Sequence, residues 1–163
     1  MSILSHSARI LLVMLFLSGC ASNPGSYCNR YEGDIFNNEG TGTGKGKAII
    51  GANCGIDNPA TYEGDFVNAE PHGIGKMTWP NGNFYEGEFI DGLRTGQGKH
   101  IWADGNVYEG EFLNNLLSGQ GKEVRVNGDF YEGGWLNDNR IGQGKFKWTY
   151  PNGFSYMVGN VQG

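Results

Sequence analysis

The sequence predicts an all-β protein, an elongated and twisted antiparallel meander of stacked β-hairpins with one hairpin per repeat of about 23 residues. Three observations carry that expectation. First, glycine supplies 29 of the 163 residues while 13% are aromatic. Glycine inside a helix costs roughly 1 kcal/mol relative to alanine, which disfavours a helical bundle or an α/β enzyme. The aromatic share argues against disorder, and glycine does not fall at every third position as collagen requires. Second, Tyr-Glu-Gly recurs at Tyr31, Tyr62, Tyr85, Tyr108 and Tyr131, the last four in steps of 23 residues. Each copy is followed at a fixed offset by Gly-x-Gly-Lys: Gly42 to Lys45, Gly73 to Lys76, Gly96 to Lys99, Gly119 to Lys122 and Gly142 to Lys145. Third, Asp91-Gly92, Asp104-Gly105, Asn81-Gly82, Asn127-Gly128 and Asn152-Gly153 punctuate these runs. Such pairs favour type I′ hairpin turns, in which both central residues have positive φ.

The chain begins with an address. Met1 to Arg9 carries no acid, and the apolar run Ile10 to Leu17 is far short of the roughly 20 residues that span a bilayer. It matches the core of a signal peptide. Leu17-Ser18-Gly19-Cys20 then resembles a bacterial lipobox. That resemblance implies a signal peptide over residues 1–19, with lipid (palmitate among its acyl chains) on Cys20. Ala21 rather than aspartate after the cysteine points to the outer membrane, facing the periplasm. Residues 20–30 read as the lipidated cysteine and a tether. If Cys20 carries lipid, Cys28 and Cys54 remain as a candidate disulfide in an oxidising compartment; the alternative is a pair of buried free thiols.

Residues 31–155 hold five repeats, the first lengthened by a loop expected around Cys54 to Pro59, and residues 156–163 form a partial sixth repeat or C-terminal cap. Within one unit, Tyr85, Gly87 and Phe89 share a strand face, with Phe84, Glu86 and Glu88 opposite. On the next strand Gly96, Gly98, His100 and Trp102 share a face. A tyrosine can lie over a neighbouring strand only where something small sits beneath it. Gly64, Gly87, Gly110 and Gly133, together with the pairs Gly73/Gly75, Gly96/Gly98, Gly119/Gly121 and Gly142/Gly144, are therefore read as structural glycines, the Gly-x-Gly pairs as floors beneath the aromatics. The acids at the second and fourth positions of each motif are expected to pair with the Gly-x-Gly-Lys lysines on the other face.

This pattern resembles the MORN (membrane occupation and recognition nexus) repeat family over roughly Tyr31 to Gly153. The resemblance implies twisted sheets of stacked hairpins that sit at membranes or junctions, oligomerise end to end, or accompany lipid-kinase or methyltransferase domains. The repeats leave no room here for such a catalytic domain. Departures include Gly134 where an acid is usual and Arg125 where other units place tryptophan.

No chemistry is expected from the repeat. Glu86 and Glu88 recur in slot after slot as a charged strand face, and His72 and His100 occupy different repeat positions. Gly42 to Lys47 lacks the Gly-Lys-Ser/Thr ending of a phosphate loop. No catalytic residue, metal site or cofactor is assigned. The net charge of −5 and the lack of a Lys/Arg cluster disfavour nucleic acid. Trp79, Trp102 and Trp148 recur in comparable places and form a candidate binding surface, or else cover a thin core. The expected function is a non-catalytic, membrane-anchored scaffold for a protein partner. The alternative is a cell-wall or glycan-binding lipoprotein using its aromatic rows. The edge strands also invite self-association.

Overall fold

The computed structural model describes residues 29–33, 43–50, 57–150, 152–153 and 155–158. Cys20, Cys28 and Cys54 lie outside the described residues, as do the 1–19 leader and the expected loop as far as residue 56. Among the described residues, eleven strands form one open sheet in strict sequence order: β1 (Arg30–Gly33), β2 (Gly44–Ile50), β3 (Ala60–Val67), β4 (Glu70–Thr78), β5 (Phe84–Ile90), β6 (Leu93–Ile101), β7 (Val107–Leu113), β8 (Leu116–Val124), β9 (Phe130–Leu136), β10 (Asn139–Thr149) and β11 (Ser155–Val158). Every pairing is antiparallel. No helix occurs among the described residues. The all-β meander is thus observed.

The two kinds of turn differ in chemistry. Within a unit, the strands are joined by two residues with positive φ: Asn68-Ala69 at 52° and 63°, Asp91-Gly92 at 48° and 76°, Asn114-Asn115 at 50° and 73°, and Asn137-Asp138 at 48° and 65°. These are type I′ geometries, and Asn and Asp tolerate them best among residues with a Cβ. Between units the expectation of type I′ fails. The loop from Trp79 to Asn83 closes through Trp79 N–H to Asn83 O (2.9 Å) and Gly82 N–H to Trp79 O (3.0 Å). Only Gly82 has positive φ there, at 89°. This is the three-residue loop in which a turn is followed by a left-handed glycine. Asn81 Oδ1 supplies the reason by accepting the Asn83 N–H at 3.0 Å, so the asparagine shapes the turn with its side chain. Asp104 and Asn127 repeat the bond at 3.0 Å each.

The core is one-sided. Tyr62, Tyr85, Tyr108 and Tyr131 are at most 1% exposed, and Phe66, Phe89, Phe112 and Trp135 fill the position four residues on. Tyr62, Tyr85 and Tyr108 each meet the aromatic of their own strand and that of the next unit edge to face: Tyr85 lies 5.1 Å from Phe89 and 4.9 Å from Phe112, Tyr108 5.2 Å from Phe112 and 5.3 Å from Trp135. This is the favoured arrangement of ring quadrupoles. Each hydroxyl donates along its own strand, Tyr85 to Glu88 O at 3.1 Å and Tyr108 to Glu111 O at 3.0 Å. No buried phenol in this row is left without an acceptor. Burial holds these phenols neutral: Tyr85 is pushed up to about 12, with Arg94 opposing, and Tyr62 and Tyr108 are also raised, by burial first and by the nearby Asp65 and Glu111.

Candidate functional site

The glycines that admit this aromatic row divide into three uses, one more than the sequence suggests. Gly75, Gly98, Gly121 and Gly144 lie directly beneath the rings; a Cβ on Gly98 would fall 2.5 Å from Tyr85 Cε2. Gly64, Gly87, Gly110 and Gly133 face them across the strand pair, and a Cβ on Gly110 would fall 2.5 Å from Gly121 Cα. Gly73, Gly96, Gly119 and Gly142 are not floors. Their φ values are 61°, 77°, 62° and 64°, and they sit in bulges. On β6, three residues from Thr95 to Gln97 stand opposite Glu88 alone, because the register passes from Gly87↔Gly98 to Phe89↔Arg94. The same two-residue shift recurs in the other complete units. Bulges bend a strand and raise its twist.

The bulge also corrects the role of the fourth-position acids. Glu88 Oε1 accepts the Gln97 N–H and Glu111 Oε1 the Gln120 N–H, both at 2.8 Å. These carboxylates cap the amide exposed by the bulge rather than pair with lysine. Asp65 does both, accepting from Ile74 N–H at 3.3 Å and meeting Lys45 Nζ at 2.7 Å. The Lys45 bond is the main reason its carboxyl is held below the usual range. In the fifth unit Gly134 offers no carboxylate, and the space around a Cβ on Gly142 is empty.

The second-position acids stand opposite lysines in register, and Glu109 and Glu132 make ion pairs with them. Register alternates Glu32, Lys47, Glu63, Lys76, Glu86, Lys99, Glu109, Lys122, Glu132 and Lys145 across β1 to β10, one per strand. Lys99 Nζ lies 2.5 Å from Glu109 and Lys122 Nζ 3.3 Å from Glu132. Beside this ladder the glycine backbones leave a shallow open groove of about 720 Å3. Glu86, Lys99, Glu109 and Lys122 stand along it, and Gly98, Gly110 and Gly121 line it.

On the aromatic face, Trp79 and Trp102 are partly buried against the core, and their rings are engaged. The Arg94 guanidinium lies 5.6 Å from the Trp79 ring, 5.5 Å from Tyr85 and 5.3 Å from Phe112. It donates to Asn115 O at 2.7 Å and approaches His100 Nδ1 at 3.0 Å. His100, only 6% exposed, packs 4.7 Å from Trp102 and 5.6 Å from Trp79. Burial, and then the Arg94 charge, push its imidazole down to about 4. The neutral ring therefore accepts from the guanidinium at Nδ1. Trp148 has a comparable neighbourhood: Arg140 lies 5.3 Å and Arg125 5.1 Å from its ring, while Arg140 donates to Glu123 Oε2 at 2.5 Å. Trp79 and Trp102 thus cover the core, Trp79 and Trp148 lie against arginines, and Trp102 packs on His100. The sequence reading missed Arg94 and Arg140. Their signal was the slot Pro71, Arg94, Leu117, Arg140, which recurs every 23 residues with changing chemistry.

Among the described residues, no group of three or more His, Cys, Asp or Glu side chains comes together as a metal site. The MORN repeat model matches residues 62–84, 85–107, 108–130 and 131–153, more than half of the chain. The chain belongs to the MORN-repeat family. MORN repeats are protein and membrane interaction modules. Each matched MORN unit begins at a core tyrosine, so the unit runs through one hairpin and the loop that follows it. The copy beginning at Tyr31 lies outside the matched MORN units, and Tyr31 differs structurally too, its hydroxyl donating to Ala69 O at 2.9 Å. A comparison with curated protein sequences gives no significant match.

Proposed function

We propose that this MORN protein is a non-catalytic interaction scaffold, lipid-anchored through Cys20 in the bacterial cell envelope and facing the periplasm from the outer membrane. The observation that carries the reading is the division of labour between the faces. The aromatic face is spent on the core, whereas the opposite face leaves a charged ladder and a groove open along successive repeats. Repeat arrays use such continuous surfaces to hold protein partners. The lipobox-like Leu17-Ser18-Gly19-Cys20 supports the anchor, since several acyl chains hold a protein stably where one does not. Self-association through the sheet ends belongs to the same reading, and so does a Cys28–Cys54 bridge. The glycan-binding alternative is not favoured, because arginines and His100 already occupy the neighbourhoods of the tryptophan rings.

In-cell crosslinking of the native protein followed by mass spectrometry tests the scaffold. Reproducible envelope protein neighbours are expected; retention on protein-free cell-wall sacculi, lost in a Trp79→Ala/Trp102→Ala variant, would overturn it in favour of glycan binding. Metabolic labelling with an alkyne fatty acid tests the anchor. The label should vanish in Cys20→Ala, and an unlabelled wild-type chain would remove the anchor from the reading. Two alkylatable thiols in the unreduced mature protein would exclude the bridge.

A further inference from the structure

The two arginines of the aromatic face occupy the same repeat slot but are balanced differently. Arg140 lies 5.1 Å from the Tyr131 ring, 5.6 Å from Trp135 and 5.3 Å from Trp148. Arg94 is stacked in the same way, 5.3 Å from Phe112, 5.5 Å from Tyr85 and 5.6 Å from Trp79. Arg140 also donates to Glu123 Oε2 at 2.5 Å, and the two side chains are only 21% and 15% exposed. Arg94 makes no ion pair among the described residues. The repeat supplies the reason. Glu123 stands on β8 in register with Tyr131, and the same slot two units earlier, in register with Tyr85, is Met77. On the other side of Tyr85 stands His100, where Tyr131 has Phe146. The neutral imidazole brings no negative charge.

Arg94 is therefore a half-buried cation held by three rings and Asn115 where its counterpart has a carboxylate. Buried charges are ordinarily paired. Burial pulls this guanidinium below its usual pKa, opposed by Tyr85 and then by Asp138. Asp138 acts from beyond contact, its Oδ1 accepting the Leu117 N–H at 2.8 Å. The fold does not need the charge, because the same slot holds Pro71 and Leu117 in other units. Nor are the donors exhausted. Of the five guanidinium N–H groups, Nε–H goes to Asn115 Oδ1 at 3.3 Å, one on Nη1 to His100 Nδ1 at 3.0 Å and one on Nη2 to Asn115 O at 2.7 Å. One N–H on each terminal nitrogen is left over among the described residues.

We propose that Arg94 is a binding site for a carboxylate of another polypeptide, a chain end or an acidic side chain, received beside the half-buried Trp79 ring. The ligand class is read from the same chain, since Glu123 shows what a guanidinium stacked in this manner takes on this sheet. Charge-assisted bonds of this kind are stronger than neutral ones. The rings and Asn115 already hold the guanidinium, so little freedom is lost on binding. The site lies on the face opposite the ladder and groove, and it stands whether or not that groove holds a partner.

Titration of the full chain with N-acetylphenylalanine, which carries a chain-end carboxylate, tests the site by nuclear magnetic resonance at the Arg94 Nε–H and the Trp79 indole N–H. Both signals should move saturably, in the millimolar range expected of so small a probe. N-acetylphenylalanine amide, which lacks the charge, should move neither. N-acetylglutamate α-amide carries a side-chain carboxylate, and whichever acid binds more tightly names the source. Met77→Glu gives Arg94 the internal carboxylate that Glu123 gives Arg140, and it should weaken probe binding about tenfold while raising the thermal midpoint. Arg94→Leu, which copies Leu117, should abolish binding with an unchanged far-ultraviolet spectrum. Met77→Glu keeps the arginine and decides the question even where Arg94→Leu fails to fold. No saturable shift with either acid, equal shifts with the amide, or wild-type binding in Met77→Glu would overturn the proposal. Inorganic phosphate binding more tightly than both acids would also overturn it and give the site to phosphate esters. None of these outcomes needs an envelope partner, so failure of the crosslinking experiment above leaves each of them readable.

Discussion

Adding a single methyl group at Gly98 is expected to be among the most damaging small changes in this protein. An alanine Cβ would stand 2.5 Å from Tyr85 Cε2 and 2.6 Å from Cζ, distances that real Cβ atoms essentially never show. The ring cannot retreat freely. Tyr85 is 0% exposed, wedged 5.1 Å from Phe89 and 4.9 Å from Phe112, with its hydroxyl donating to Glu88 O at 3.1 Å. Lifting the ring costs about 1–3 kcal/mol as overpacking. Loss of the buried hydroxyl bond adds about 1 kcal/mol. Against this, replacing glycine by alanine in an extended strand recovers roughly 0.4–1 kcal/mol of chain entropy. The net expectation is destabilisation by about 2–3 kcal/mol. Urea denaturation followed by far-ultraviolet circular dichroism measures it. Gly142→Ala is the control: its φ is 64° and the space around its Cβ is open, so only conformational strain of about 1–2 kcal/mol applies. Adding Tyr85→Phe to Gly98→Ala should recover part of the loss, because the hydroxyl is one of the clashing atoms. A Gly98→Ala protein within about 0.5 kcal/mol of wild type, or a double variant with strictly additive losses, would refute the account of glycine as the floor beneath tyrosine.

Three further expectations follow from the same geometry. Glu88→Ala removes the acceptor of the Gln97 N–H, exposed on a strand bulge, and should cost about 1 kcal/mol in urea denaturation. An equal loss from Glu86→Ala would show that the bulge bond has no special role. His100, with its imidazole held near 4 by burial and by Arg94, makes the fold sensitive to acid. Between the unperturbed value of about 6.5 and 4 the unfolded chain binds a proton that the native chain refuses, so stability falls as pH drops through that window, by up to about 3 kcal/mol. His100→Met, the residue that Met77 supplies in the same slot, should flatten the pH dependence of the thermal midpoint there; an unchanged slope would refute it. At the alkaline end, the core phenols are raised, Tyr85 to about 12. Their contribution is complete below the unfolded value near 10 and is lost as pH rises toward the folded value. Ultraviolet titration of phenolate should show Tyr62, Tyr85 and Tyr108 ionising only with unfolding, and a single unperturbed titration of all tyrosines would contradict the core.

Much of the site was legible because it is local. The Tyr-Glu-Gly period located the units, and alternation placed Tyr85 with Phe89 and apart from Glu86 before any partner was known. Arg94 was not legible as a core residue, since a cation in a strand ordinarily reads as surface. Only the box made by Trp79, Tyr85, Phe112 and Asn115 makes its burial tolerable. The same holds for His100, which shares its repeat slot with Met77 and Glu123. Trp79, Trp102 and Trp148 were visible as a row, but the use of Trp79 and Trp148 depended on arginines contributed by other positions, and that of Trp102 on His100.

Strand number, strand direction, turn positions and the sorting of side chains into two faces were set by the order of residues alone. They follow from a 23-residue period laid over a two-residue period, and both act through neighbours in the chain. The tertiary structure decided matters of register. It made Gly73, Gly96, Gly119 and Gly142 bulge residues while Gly75, Gly98, Gly121 and Gly144 became floors. It turned Glu88 and Glu111 toward backbone amides, and it aligned ten separate charges into one ladder. Register is a relation between strands, fixed by how a tyrosine on one strand fits over a glycine on the next. No periodicity within a single strand contains that information.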